Sequence, residues 1–367
     1  MRVLVLGGYG NFGARICRAL AKDSIDVIAA GRDPDRGHRA ALFDARIGKA
    51  RIDVLDRRLP SALHELKPHI VIHCAGPFQG QDYQVACASL AAGAHYIDLA
   101  DGRSFVVNFP TAVGPLARTA GRLAVTGAST LPALSTAVID ALKNRFSSID
   151  EIQLCIAPAQ RAPRGTATMK AVFSYLGKPF KWWKDGSWQD AYGWQELRRL
   201  RMGHLGTRWA AACDVPDLEL LPARYPSIKT VQFRAALELG AQHFLLAAAA
   251  QLRRWGVPLP VDRWAGPLDR IASLLDRVGS ERGGMLASLT GTQPNGKKSR
   301  IDWHLIADNN HGPEIPCMAA ILLTRKILTG QVTEHGAIPC MGLLTLDEFA
   351  PEFARWGIRT SVTETSL

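Results

Sequence analysis

"VLVLGGYGNFGARICRAL", residues 3–20, decides the fold of this 367-residue chain. Val3–Leu6 is a short apolar, β-rich run, four glycines follow within seven residues, and from Asn11 the apolar side chains Phe12, Ile16 and Leu20 recur at helical spacing. The stretch reads as strand, loop, helix. The rhythm repeats through "DVIAAG" (26–31), "ARIDVL" (50–55), "HIVIHCAG" (69–76), "HYIDLA" (95–100) and "LAVTGA" (123–128). Helical stretches separate them after Asp33, over 82–92 and near 112–120. Strands that are continuous apolar runs are covered on both faces, and right-handed crossovers join them into a doubly wound parallel sheet.

The length allows about two domains at roughly 100 to 200 residues each. A hydrophobic fraction of 47% and a charged fraction of 21% are those of a folded globular chain. The first strand leaves no room for a leader with its cleavage site, so a cytoplasmic location is expected. The seven cysteines are scattered and several lie in apolar runs, which points to buried free thiols rather than disulfides or metal ligands. The longest apolar stretch, 235–252, carries Glu238, Gln242 and His243 and is read as a core helix, with His243 satisfied by a local bond, rather than a membrane span.

"GYGNFG" places Gly8, Gly10 and Gly13 after a strand and at the opening of a helix, the context in which GxGxxG signals a dinucleotide site. Gly8 is expected to permit the tight turn, Gly10 to let backbone approach a pyrophosphate, and Gly13 to let helix pack on strand. The amides of Asn11 and Phe12 at the helix start add positive dipole charge. The end of the second strand, "AAGRD", selects between nucleotides. An NAD site places a carboxylate there for the ribose hydroxyl, whereas NADP needs a cation for the 2′-phosphate. Here Gly31 leaves space, Arg32 offers a guanidinium, and Asp33 before Pro34 reads as a helix cap. The expected cofactor is NADP.

These motifs, with "CAGPFQGQDYQVACASLAAGAHYIDLADG" (74–102) and "GASTLPALS" (127–135), resemble the saccharopine dehydrogenase-like NADP-binding oxidoreductases, a group that includes saccharopine reductase and the carboxynorspermidine enzymes. The similarity covers roughly the first 145 residues. It implies a Rossmann domain interrupted by a second α/β domain, with the substrate in a cleft between them, and NADP(H)-linked making or breaking of a C–N bond through an imine. Carried over residue by residue, it sets Gly8, Gly10, Asn11, Phe12 and Gly13 against the pyrophosphate and Arg32 against the 2′-phosphate. It sets Asp53, ending the third strand, beside the adenine, and Ala75, Gly76 and Pro77 on the path to the nicotinamide. Asp98 and Asp101 flank the end of the fifth strand in the same layer, Ser129 and Thr130 follow the sixth, and Ser129 is counted with the cofactor residues. Asp101 also reads as a turn former before Gly102, and Ser129 as a cap for a helix beginning near Pro132.

Beyond Ile149 the rhythm changes. "IDEIQLCIA" reads as a strand, "TATMKAVFSYLG" as a helix, 228–234 as a strand, 267–278 as a helix, and 283–308 as two strands joined at "PNGK". The expected class is α/β, a doubly wound Rossmann sheet with a second domain built on a mixed, partly antiparallel sheet. Its expected boundaries are 1–145 for the nucleotide domain and 146–310 for the second. A C-terminal segment, 311–367, is expected to contain a helix from about Glu314 to Leu328 and to return to the first domain through 336–349. His311 is the histidine candidate for a cleft role.

Much of the formal charge of +11 sits between Arg161 and Trp209, where ten Lys or Arg face three acids and five tryptophans are interleaved. Three readings stay open: solvated basic loops with tucked tryptophans, a lid or dimer surface, and an anionic membrane surface or nucleic acid. No zinc-finger, RNP or helix-turn-helix signature supports nucleic acid. A homodimer is expected, and membrane contact is left open.

The only Tyr-x-x-x-Lys, "YPSIK" (225–229), is broken by Pro226, and there is no GxSxG, HExxH or paired CxxC, which argues against hydrolase and zinc-dependent classes and leaves no metal site expected. The expectation is NADP(H)-dependent hydride transfer to or from an imine or carbonyl carbon of a small molecule, such as an amino acid or imine adduct. Asp101, Asp98 and His311 are its acid–base candidates. The alternative is a non-catalytic NADP-binding sensor or membrane-associated scaffold.

Overall fold

The computed structural model describes residues 1–35, 46–163, 166–259 and 275–367. The helical stretch expected after Asp33 lies mostly outside these residues, as does that near 267–278, of which a 3-10 turn over Leu275–Val278 is described. In chain order the strands are β1 (Arg2–Leu6), β2 (Asp26–Gly31), β3 (Ile47–Arg51), β4 (Ile70–His73), β5 (His95–Asp98), β6 (Leu123–Thr126), β7 (Ser148–Ala157) and β8 (Pro179–Lys184). There follow β9 (Ser187–Tyr192), β10 (Arg198–Arg201), β11 (Thr207–Ala212), β12 (Thr230–Ala236), β13 (Gly283–Thr292), β14 (Lys298–Ala307), β15 (Gly336–Pro339) and β16 (Arg359–Ser366). The α-helices are α1 (Asn11–Lys22), α2 (Leu59–Leu66), α3 (Gln84–Ala91), α4 (Arg103–Thr119), α5 (Ser135–Leu142), α6 (Thr166–Tyr175), α7 (Asp217–Arg224), α8 (Gly240–Arg254), α9 (Ile315–Leu328) and α10 (Leu346–Arg355).

Two compact units divide the chain, Met1–Leu134 with Pro313–Leu344, and Ser135–Gly312 with Thr345–Leu367. The first is a seven-stranded sheet in the order β15-β6-β5-β4-β1-β2-β3, parallel throughout. Its inner strands are buried along their length, as in "IVIH" and "LAVT", because helices cover both faces. α1 buries one face through Ile16, Cys17, Leu20 and Ala21. α9 packs on it, tied by the Arg15–Glu314 ion pair at 2.8 Å and the Arg325–Asp23 pair at 2.8 Å. After α9 the chain adds β15 beside β6, and then Thr345–Leu367 enters the second unit.

That unit carries a mixed sheet, β10-β11-β12-β7-β13-β14-β16, with β8 on β12 and β9 on β8. β12 and β7 run parallel, while β13 and β14 form the long hairpin joined through "QPNGK". The Trp-rich stretch, read without a period, forms the β8–β9 and β10–β11 hairpins. Trp182 and Trp194 are buried there, and Trp188 and Trp209 reach solvent. The apolar run 235–252 is not one core helix. Its start belongs to β12, and α8 lies near the surface, burying His243, Ala247 and Ala250 while Phe244, Leu245 and Leu252 are exposed.

Candidate functional site

The glycine loop is held by close packing. Gly7, at φ +77°, takes the left-handed turn that the sequence reading assigned to Gly8, and a Cβ there would lie 2.9 Å from the Ala75 nitrogen. Gly8 is kept small by its neighbour instead: a Cβ would meet Ala29 at 2.9 Å, and its amide donates to the carbonyls of Val5 (3.1 Å) and Ala30 (2.9 Å). A Cβ on Gly13 would strike the Gly7 carbonyl and the Gly8 Cα, so α1 can sit on the loop only without one. Gly10 is the exposed member, with its nearest obstacle, the Gly7 oxygen, at 3.1 Å. It caps α1 in extended conformation and offers no side-chain bond to the first-turn amides. Asn11 is held by Arg15, whose Nη1 donates to the Asn11 carbonyl at 2.7 Å.

Gly31 has a further role. The buried Tyr9 ring lies where its Cβ would be, 2.7 Å from Cδ2, and the Tyr9 hydroxyl reaches the carbonyls of Ala29 (2.9 Å) and Ala50 (3.0 Å). Tyr9 therefore ties β1, β2 and β3 together at the loop. Arg32 follows β2 exposed, while the Asp33 carboxylate accepts the Asp35 amide at 3.1 Å, which occupies it with a local turn. β3 lies earlier than the sequence pattern placed it. Ile52 donates to the Gly31 carbonyl, and Asp53 stands in the following turn with its carboxylate accepting the Leu55 amide at 3.1 Å.

At the carboxyl end of β4 a side-chain clamp shapes the Ala75–Gly76–Pro77 loop. Gln81 Nε2 donates to the carbonyls of Ala75 (2.9 Å) and Pro77 (2.7 Å), and its Oε1 accepts from His73 Nε2 at 3.2 Å. Burial pushes His73 down to about 4, so the ring is neutral and its proton sits on Nε2. Asp98 is buried at the end of β5. Its Oδ1 accepts from the amides of Ala100 (2.9 Å) and Gly127 (2.8 Å) and from the Thr126 hydroxyl (2.9 Å), fastening β5 to the loop after β6. Burial outweighs those three donors and raises its carboxyl to about 6. Asp101 differs: it reaches solvent, accepts from Gln79 Nε2 at 3.2 Å, and is raised by the crowding around it. Ser129 is half-buried, its amide donating to the Gly127 carbonyl at 2.8 Å where a π-turn over Thr130–Leu134 begins.

His311, the histidine candidate, and His243 both belong to the second unit. His311 donates Nδ1–H to the Trp356 carbonyl at 2.7 Å and meets the Trp356 ring edge to face. The His243 ring makes no local bond. Both ring nitrogens are buried without a hydrogen-bond partner among the described residues, the ring packs on Trp194, and burial pushes it down to about 4. All seven thiols are free, and five are buried. Among the described residues no three His, Cys, Asp or Glu side chains gather as a metal set, and no helix is long and apolar enough to cross a membrane.

Tyr9, His73, Gln79 and Gln81 were absent from the sequence-derived set. The eight-residue separation of His73 from Gln81 gives no periodic signal, whereas Tyr9 lay inside the motif itself.

Comparison with known proteins falls on this same region. Residues 3–157 match the family model of the saccharopine dehydrogenase NADP binding domain. Among solved structures the fold is similar to apo saccharopine dehydrogenase (L-Glu forming) from Saccharomyces cerevisiae, at 13% identity and a TM-score of 0.68 over 99% of both chains. It is also similar to homospermidine synthase from Legionella pneumophila in complex with NAD, at 10% identity and a TM-score of 0.60 over 99% of this chain and 91% of that one. No curated protein matches by sequence. What is shared is the two-sheet α/β fold.

Proposed function

We propose that this protein is an NADP(H)-dependent oxidoreductase that transfers hydride to or from an imine or carbonyl carbon, making or breaking a C–N bond. The observation that carries the reading is the contrast within the loop. Gly7, Gly8 and Gly13 are closed by packing, while Gly10 stays open at the start of a twelve-residue helix. That leaves a rigid concave backbone with free space for phosphate at a helix N-terminus. The residues fit the nucleotide: Asp33 is occupied with its own turn, and exposed Arg32 is left for the 2′-phosphate. When bound, the nicotinamide supplies or accepts the hydride.

The chain's own groups do the rest. Gln81 fixes the Ala75–Pro77 backbone that would line the nicotinamide path. Asp98 holds the ends of β5 and β6 in register and acts as a positioning residue. Asp101, reaching solvent with a raised carboxyl, is the group suited to hand a proton to a substrate nitrogen or oxygen. The imine class is supported by the likeness in fold to a saccharopine dehydrogenase and a homospermidine synthase. A homodimer is part of the proposal, with the fully exposed edge strand β16 as a pairing edge. The test is loss of NADPH absorbance on mixing the protein with panels of 2-oxo acids and primary amines, singly and paired. Turnover requiring both partners supports C–N bond formation, and no turnover across the panel refutes it.

A further inference from the structure

In the second unit a recess of about 420 Å³ lies between β8, β10, β12 and the end of α8. Four cations line it: Lys184, Arg198, Arg234 and Arg254. One carboxylate, Glu196, shares the lining. None of the four forms an ion pair among the described residues, and the Glu196 carboxylate forms none either.

Arg234 is the anomaly. It is 4% exposed, and an arginine is almost never buried to that degree without an anionic partner. Its guanidinium is fully positioned nonetheless. It lies over the Trp182 ring at 5.3 Å, Nη1 donates to Gln232 Oε1 at 2.8 Å, and Nε donates to the backbone carbonyl of Glu196 at 3.4 Å. All three of these partners are neutral; Glu196 and Glu151 are near enough to favour the charge, but neither pairs with it, and the net effect of the surroundings still lowers its pKa. Nη2 has no hydrogen-bond partner among the described residues and is not among the sealed, unsatisfied atoms, and Arg234 lines the recess. Burial first, and the neighbouring Arg198 charge second, work against the cation. A guanidinium held over an aromatic face keeps N–H donors available for a carboxylate or phosphate. Arg254 is held similarly at the rim, over the Tyr192 ring at 3.9 Å.

We propose that this recess is a binding site for a small anion bearing carboxylate or phosphate groups, with Arg234 as the buried anchor and Lys184, Arg198 and Arg254 as surrounding cations. The volume falls in the range of small-molecule pockets, roughly 300–1,000 Å³. The polar lining selects a hydrophilic ligand with more than one negative group. The site also explains the basic, Trp-rich stretch, since Trp182, Lys184 and Arg198 come from it and serve the recess instead of a flat basic face. It is independent of the hydride-transfer reading.

Calorimetric titration at fixed ionic strength tests it with two probes, glutarate for carboxylate and pyrophosphate for phosphate. Saturable binding of at least one is expected, weakened about tenfold or more in Arg234→Gln, which is the loss of one charge-assisted contact. The double variant Lys184→Gln/Arg254→Gln alters half-exposed and exposed groups, keeps the fold, and is expected to weaken the same probe severalfold. Binding of glutarate alone assigns a carboxylate ligand, and of pyrophosphate alone a phosphate ligand. Absence of saturable binding by both probes overturns the proposal, as does binding unchanged in both variants. Binding lost in Arg32→Ala but kept in Arg234→Gln overturns it too, because the anion then sits at the nucleotide loop.

Discussion

The glycine loop separates folding from ligand binding at two positions three residues apart. In Gly13→Ala the new methyl meets the Gly7 carbonyl carbon and the Gly8 Cα at 2.8 Å each, with the Gly7 oxygen closer still. These obstacles are backbone atoms inside a packed strand-turn-helix, so no side chain can swing away, and α1 must lift from the sheet. Overpacking costs about 1–3 kcal/mol where neighbours can yield; backbone on both sides sets the expectation at about 3 kcal/mol or more. That is a large share of a total stability of roughly 5–15 kcal/mol. In Gly10→Ala the nearest atom is the Gly7 oxygen at 3.1 Å, and the methyl projects from an exposed residue. A shift of a few tenths of an ångström relieves it, and the expected folding cost stays below about 1 kcal/mol. The same methyl occupies the space required by a pyrophosphate, so NADPH affinity is expected to fall about tenfold or more, at least 1.4 kcal/mol. Urea unfolding by tryptophan fluorescence and NADPH titration by energy transfer measure the two quantities. A Gly13→Ala protein as stable as the parent, or a Gly10→Ala protein that binds NADPH as the parent does, refutes the packing argument.

Three further perturbations follow from the same structure. Asp101→Asn is expected to lower kcat with little change in the KM for NADPH and to remove the alkaline limb of the pH–rate profile for reduction, since a donor must carry its proton and the Asp101 carboxyl is raised from its ordinary value; an unaltered profile counts against it as proton carrier. His243 is pushed down to about 4 from an ordinary 6.5, so between those values the unfolded chain binds more protons and stability rises with pH, being complete above 6.5. His243→Phe is expected to flatten that window by up to about 1.4 kcal/mol per pH unit, read from urea unfolding at about pH 5 and about pH 7; equal slopes in parent and variant contradict it. Removing one partner of the largely buried Arg15–Glu314 pair, as in Glu314→Leu, strands the other charge and is expected to cost about 3–5 kcal/mol, whereas Arg15→Met/Glu314→Leu costs less than that single change; chemical unfolding distinguishes the two.

Most of the parallel sheet was legible because its inner strands are buried on both faces and read as unbroken apolar runs. β3 was displaced in the reading for the opposite reason. As an edge strand, "IGKAR" carries exposed Gly48 and Lys49 and is defined by backbone pairing with β2, while the more apolar "ARIDVL" continues into a turn. α4 was read only near 112–120, yet the helix runs from Arg103 to Thr119 and accommodates both Pro110 and Pro115. The β8–β9 hairpin did carry a local signal: Asp185 and Gly186, at φ +52° and +74°, are the Asp-Gly pair that such turns favour, flanked by tryptophans that hid the alternation. At the site, glycine spacing and Arg32 could be read along the chain. The Gln81 clamp, the threefold use of Asp98 and the meeting of Trp182 with Arg234 could not, since each arises only when separate elements are brought together.

Nucleotide preference is decided by isothermal titration of NADPH and NADH into the same preparation and into Arg32→Ala. NADPH is expected to bind tighter by about tenfold or more, a gap of at least 1.4 kcal/mol that closes in the variant while NADH affinity holds. NADH binding as tight as NADPH, or a preference for NADPH that survives the loss of Arg32, contradicts it.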